Sequence, residues 1–152
     1  MKKTGGFSIF ELLIVIAVVA VVSAIVTPNI ISWQNNARLR GAAGNLKSDM
    51  EMAKVQAIKV NNKVAIKFTD NRYEVFVDNS DDGIRDAGEP LLKTRTLPAG
   101  VAFDLNQTTF SSDVATFNGR GTAEKGTAIL TNTKGDEKHI KVETLGRIWI
   151  KK

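Results

Sequence analysis

Cysteine is absent from this 152-residue chain, and histidine occurs once, at His139. Without cysteine there is neither a disulfide framework nor a thiolate metal centre, so a small extracytoplasmic domain must be held by its core or by another kind of staple. One histidine excludes a multi-histidine metal site and leaves a Ser-His-Asp triad a single candidate base, in a strand-like segment with no nucleophile at a matching spacing. A membrane-anchored enzyme therefore has little behind it. Strong charge of one sign is missing too. The formal charge is +5, and it falls to +3 if Lys2 and Lys3 leave with a cleaved leader, a mild excess that does not by itself point to nucleic acid. Internal repeats and low-complexity tracts are absent, and 43% apolar content suits one modest domain.

What the chain does have is an N-terminal apolar run. Met1-Lys2-Lys3-Thr4-Gly5-Gly6 precedes it, and from Leu12 to Val26 the only polar residue is Ser23. As a helix, residues 7–26 span roughly 30 Å, about one hydrocarbon thickness. Two lysines stand before the run, and the first basic residue after it is Arg38, so the N-terminus is expected to stay cytoplasmic with the rest outside. An ordinary secretory signal would want a small-residue cleavage site after the apolar core, and Ser23-Ala24-Ile25 is a poor one. That reading also leaves Glu11 unexplained. A carboxylate inside a membrane segment costs up to about 2.5 to 3.5 kcal/mol at the bilayer centre and calls for a partner. An α-amino group at Phe7, on a neighbouring copy staggered by one turn, would supply it, because Phe7 and Glu11 lie four residues apart.

Gly6-Phe7, with Glu11 four residues after Phe7 and the aliphatic run beyond, resembles the class III signal of type IV pilins and type II secretion pseudopilins. The resemblance implies cutting between Gly6 and Phe7 by a prepilin peptidase and N-methylation of Phe7. It also implies storage as a single pass in the bacterial inner membrane with the head periplasmic, and extraction by an assembly platform into a helical filament of pilins. Residues 1–6 would then be a leader, 7–30 the membrane and polymerisation helix, and 31–152 the head.

Pro28 is expected to kink or locally melt the helix between Ser23 and Asn29. Beyond it Leu39, Ala42, Leu46, Met50, Ala53, Ala57 and Val60 recur at three- and four-residue spacing, while Arg38, Arg40, Lys47, Asp49, Lys54 and Lys59 occupy other faces. The pattern predicts an amphipathic helix over 31–62 lying on a sheet. Gly41 and Gly44 each weaken it by roughly 1 kcal/mol relative to alanine, which suggests close approach of another backbone. Val64 to Thr69 and Arg72 to Val77 alternate around Asp70-Asn71, a hairpin signal. In it Val64, Ile66, Phe68, Tyr73, Val75 and Val77 should face the helix. Further strand-like runs are 91–97, 101–103, 114–117, 128–131, 139–145 and 147–150, separated by Pro- and Gly-containing turns. The expected class is α+β: a long N-terminal helix packed against an antiparallel, β-rich head over 63–152.

Residues 78–89 match the spacing of a twelve-residue calcium loop. Asp78, Ser80, Asp82 and Asp86 stand at the first, third, fifth and ninth places, Gly83 at the sixth and Glu89 at the twelfth, with the Ile84 carbonyl as a further oxygen. The alternative is a solvated acidic turn. A net charge of −5 between Asp70 and Glu89 speaks for a cation. Strands on both sides and serine at the third place depart from the usual pattern.

From Phe117 to Ala123, Gly126 to Asn132 and Lys141 to Ile148 the chain is similar to the GspH/FimT branch of minor pilins and pseudopilins. With the acidic loop running into Glu89-Pro90-Leu91-Leu92, the likeness spans nearly the whole sequence. It implies a non-enzymatic, structural subunit at or near filament tips. Some relatives bind DNA through a basic tail beginning Gly-Arg. Here Gly146-Arg147 is followed by Ile148-Trp149-Ile150 and closed by Lys151 and Lys152. Arg147, Lys151 and Lys152 are therefore the candidate DNA contacts, against the alternative of an edge strand ending in solubilising lysines.

Overall fold

The computed structural model describes residues 7–151, with the side chains of 25–29 left aside. The chain divides into two units, Met1–Gln34 and Asn35–Lys152.

From Ile9 onward the first unit is helix. Helix α1 runs over Ile9–Val60, and its first turn is capped by Ser8. The Ser8 Oγ accepts the Phe10 N–H at 3.3 Å, and the Ser8 carbonyl accepts those of Glu11 and Leu12 at 3.0 and 3.2 Å. A serine there satisfies donors that the helix itself cannot. Every large apolar side chain from Phe7 to Val22 is exposed, from 49% at Val15 to 81% at Phe7. Among the described residues no helix is long and apolar enough to cross a membrane. The expected melting at Pro28 does not occur, and α1 continues through it. One missing backbone donor is a local loss when helix propagates on both sides.

In the second unit α1 carries the predicted stripe. Leu39, Ala42, Leu46, Met50, Ala53 and Ala57 are buried, while Val60, at the last turn, is 41% exposed. Two four-stranded antiparallel sheets complete the unit. The first has the order β3-β2-β1-β5, from β1 (Lys63–Thr69), β2 (Arg72–Asp78), β3 (Leu91–Thr96) and β5 (Val114–Phe117). The second has the order β4-β6-β7-β8, from β4 (Val101–Phe103), β6 (Gly126–Asn132), β7 (Glu137–Val142) and β8 (Ile148–Lys151).

The predicted hairpin is present in register, with Val64 opposite Val77, Ile66 opposite Val75 and Phe68 opposite Tyr73. These six residues share one core with the helix stripe and with Leu130, Ile140 and Val142 of the second sheet. Period-two alternation on the strands and a three-to-four period on the helix put both apolar faces together. Phe68 bridges toward the second sheet, its ring 5.0 Å from that of Phe103 and 5.8 Å from that of Phe110. On the opposite face of the first sheet, Ala65, Phe76 and Val114 form a small separate cluster.

The expectation for Gly41 and Gly44 is corrected. A methyl group placed on either would meet nothing within 4 Å, so no backbone among the described residues approaches them there. Gly126 and Gly146 are glycines that packing requires: a Cβ on Gly126 would strike the Phe110 ring, and Gly146 is confined by backbone. The Gly146 φ is +71°, and a Cβ there would run into the Gly121 carbonyl.

Candidate functional site

The sequence singles out three groups of residues, one in the first unit and two in the second. The first is the start of α1. Phe7 precedes the Ser8 cap, and Glu11 sits in the first turn with an exposed side chain. A carboxylate in the first turn is favoured by the helix dipole. Among the described residues from Phe7 to Ser23 it is the one charge, surrounded by apolar side chains open on every side. Gly6, on the other side of the expected cut, lies outside the described residues.

The second group is the loop from Asp78 to Glu89. Its end carboxylates are drawn inward, with Asp78 2% and Glu89 7% exposed. Glu89 Oε1 accepts the N–H groups of Asn79 at 2.6 Å and Ser80 at 3.1 Å, and Oε2 accepts that of Asp86 at 3.0 Å. Asp78 Oδ1 accepts the Asp81 N–H at 2.7 Å and Oδ2 that of Gly83 at 3.1 Å. The Ser80 hydroxyl lies 3.4 Å from Asp78 Oδ1 and 3.3 Å from Glu89 Oε1. The backbone N–H of Asp86 holds the Glu89 carboxyl below the usual range; burial opposes this, and the Ser80 and Asn79 donors add to it.

The first, third and twelfth places therefore do come together. The other expected ligands are differently engaged or outward. Asp82 Oδ1 accepts the Ile84 N–H at 2.8 Å, and Asp86 and the Ile84 side chain are exposed. Among the described residues no group of three or more Asp, Glu or His is placed to hold a metal ion. Calcium takes six to eight oxygens; of the expected ligands, Asp78, Ser80 and Glu89 are drawn together here. The carboxylates close the loop on its own amides.

The third group is the tail. Arg147 and Lys151 are described, whereas Lys152 lies outside the described residues. The Arg147 guanidinium lies 5.4 Å from the centre of the Trp149 ring, a cation–π pair. Trp149 stands opposite Lys141 on β7, and Lys151 opposite His139. Trp149 and Lys141 line a cleft of about 420 Å³ with Lys125, Thr109, Thr127 and Glu143. The turn before β8 is pinned from α1, because Lys54 Nζ donates to the Gly146 carbonyl at 3.0 Å.

Sequence reasoning missed a fourth group. Asp49, assigned to a polar face of the helix, is 3% exposed. It accepts the Tyr73 hydroxyl at 2.6 Å, Lys93 Nζ at 2.6 Å and Arg95 Nε at 2.8 Å. Burial alone would push the Asp49 carboxyl up, but the bonds from Arg95, Lys93 and Tyr73 hold it below the ordinary aspartate value. Burial, then the bond to Asp49, raises the Tyr73 phenol well above its usual value. One signal was available: a tyrosine on a helix-facing strand position has a hydroxyl that must find a buried partner.

The fold and the stem together define a class: a helix that leads with exposed apolar residues and ends as the spine of an antiparallel β-rich head, the pilin fold. Residues 42–146 match the family described as Type II transport protein GspH, and residues 1–27 match the prokaryotic N-terminal methylation motif. The chain belongs to the GspH family of minor pilins and pseudopilins. No curated relative matches the sequence. Among solved structures, the chain resembles the Pseudomonas aeruginosa type IV minor pilin FimU. The two are 16% identical with a TM-score of 0.58, and the match covers 79% of this chain and 92% of FimU. It also resembles the Vibrio cholerae minor pseudopilin EpsH from the type 2 secretion system. There the identity is 11% and the TM-score 0.58, with 75% of this chain and 96% of EpsH covered. At these identities the structures support the fold.

Proposed function

We propose that this protein is a non-enzymatic structural subunit of a filament, a type IV pilus or a type II secretion pseudopilus, assembled through its N-terminal helix. The carrying observation is the surface of α1 from Phe7 to Val22, where every large apolar side chain is open and one carboxylate, Glu11, stands in the first turn. Burial of that surface is worth roughly 25 cal/mol per Å² of apolar area, and among the described residues of the first unit nothing covers it. Before assembly the lipid bilayer receives residues 7–30, with the N-terminus cytoplasmic. After assembly the helices of neighbouring subunits do. Prepilin peptidase cuts before Phe7, the new amine is methylated, and Glu11 of one subunit pairs with that amine on the next. In a low-dielectric core such a pair fixes axial register, because either charge left alone is costly.

Intact-mass and N-terminal sequencing of the membrane-extracted protein test the processing, and the expected mature chain starts at N-methylated Phe7. Glu11→Ala is expected to be cut normally and to fail in assembly. Wild-type levels of Glu11→Ala in sheared filaments would falsify the pairing.

A second reading makes the same subunit a DNA-uptake receptor. It is supported by the cluster of Arg147, Lys141, Lys125 and Lys151 around Trp149, cations beside an aromatic face. Gel-shift titration at several salt concentrations tests it, and binding with no salt dependence would discard it.

A further inference from the structure

We propose that Asp49 is the clasp through which α1 holds the head when the helix is pulled. This rests on the reading that the subunit is extracted and held through its N-terminal helix. In such a molecule force enters along α1 and must pass into the sheets. Most of the seam between them is apolar, and apolar contacts are non-directional, so a helix can creep along them. Directional resistance comes from polar ties.

Among the described residues, polar ties cross from this half of α1 at Asn36, Arg38, Asp49 and Lys54. Asn36 Oδ1 accepts Asn132 Nδ2 at 3.2 Å, Arg38 donates to the Ala99 carbonyl at 3.2 Å, and Lys54 donates to the Gly146 carbonyl at 3.0 Å. Each of these is a single bond to a turn or a strand end. Asp49 differs in kind. It is ionised and buried, and three donors from two strands converge on its two oxygens at 2.6 to 2.8 Å. Lys93 and Arg95 come from β3, the edge strand of the first sheet, and Tyr73 from β2 beside it. Charge-assisted bonds are about twice as strong as neutral ones and strict in geometry. A small axial slip of α1 would break all three together, so this tie yields last and abruptly.

Single-molecule pulling of the full chain in detergent tests the idea, and the native absence of cysteine lets handles be placed without background. With Gln34→Cys and Lys151→Cys the load enters through α1. With Thr133→Cys and Lys151→Cys it crosses only the second sheet. Asp49→Asn should raise the unfolding rate under load about tenfold in the first geometry and leave it within about twofold in the second. Equal weakening in both geometries, or none in the first, overturns the clasp. Lys93→Gln removes one donor from the half-exposed rim and should show the same asymmetry at smaller size, which decides the matter if Asp49→Asn folds poorly. The result does not depend on filament assembly, which the yield of sheared filaments reports separately.

Discussion

The two halves of one helix obey opposite rules. From Phe7 to Val22 apolar side chains cover every face and stay open. From Leu39 to Ala57 most of them keep to one stripe and are buried, with Val55 the exposed exception. Both halves are good helix, so local propensity does not separate them. The difference is the partner: the distal half meets the sheets of its own unit, and on the proposed function the proximal half meets neighbouring helices or lipid.

The sharpest way to test that contrast is to shorten one residue in each half. Leu46→Ala or Met50→Ala should destabilise the head by about 2 to 5 kcal/mol, because each leaves a cavity in a fully enclosed site. Leu13→Ala should leave the melting temperature of the head unchanged and act only on assembly. Thermal unfolding followed by circular dichroism reads the first effect, and filament yield the second. A Leu13→Ala head that melts early would break the comparison.

Next in size is the pH dependence of the head. Asp49 and Glu89 both have folded-state values held below their ordinary ones of 3.8 and 4.5. Their stabilisation is therefore complete above those ordinary values and is lost as pH falls through the lowered folded ones. Tyr73 works in the other direction. Its folded value is raised above the ordinary 10.0, so its contribution is complete below that pH and is lost as pH rises beyond it. Asp49→Asn should flatten both limbs of the stability curve in part, since it removes one titrating group and the charge that, added to burial, holds up the other. An alkaline limb identical to that of the native protein would refute the coupling.

A smaller effect is expected in the acidic loop. Glu89→Gln should lower the melting midpoint in chelator as much as in calcium, because the carboxylate holds the amides of Asn79, Ser80 and Asp86 directly. If the substitution mattered only in calcium, the loop would be a cation site after all. Smallest is the tail: should DNA bind, each of Arg147→Ala and Lys151→Ala should reduce the salt slope of affinity by about one.

Much of this was legible in advance. The pairing of Val64, Ile66 and Phe68 with Val77, Val75 and Tyr73 follows from alternation around a two-residue turn, which ties register to face. The buried helix stripe follows from its spacing. Asp49 was not legible, because a charged residue beside Met50 reads as the edge of a polar face. Only the approach of Tyr73, Lys93 and Arg95, 24 to 46 residues away, turns it inward. Gly41 and Gly44 misled for the converse reason: a costly residue in a helix signals some demand, without saying whether the demand arises within the chain.

The sequence by itself determined the class of this protein. Gly6-Phe7 with Glu11 one turn on, an apolar run and then an amphipathic stripe are short-range patterns, and short-range patterns need no fold to be read. The tertiary structure decided what each polar group of the head does. It closed the Asp78–Glu89 loop on backbone amides, set Arg147 against Trp149 and gathered three donors on Asp49. Those outcomes depend on which distant groups meet and on how far burial raises the cost of leaving one unpaired, and neither quantity is written in local spacing.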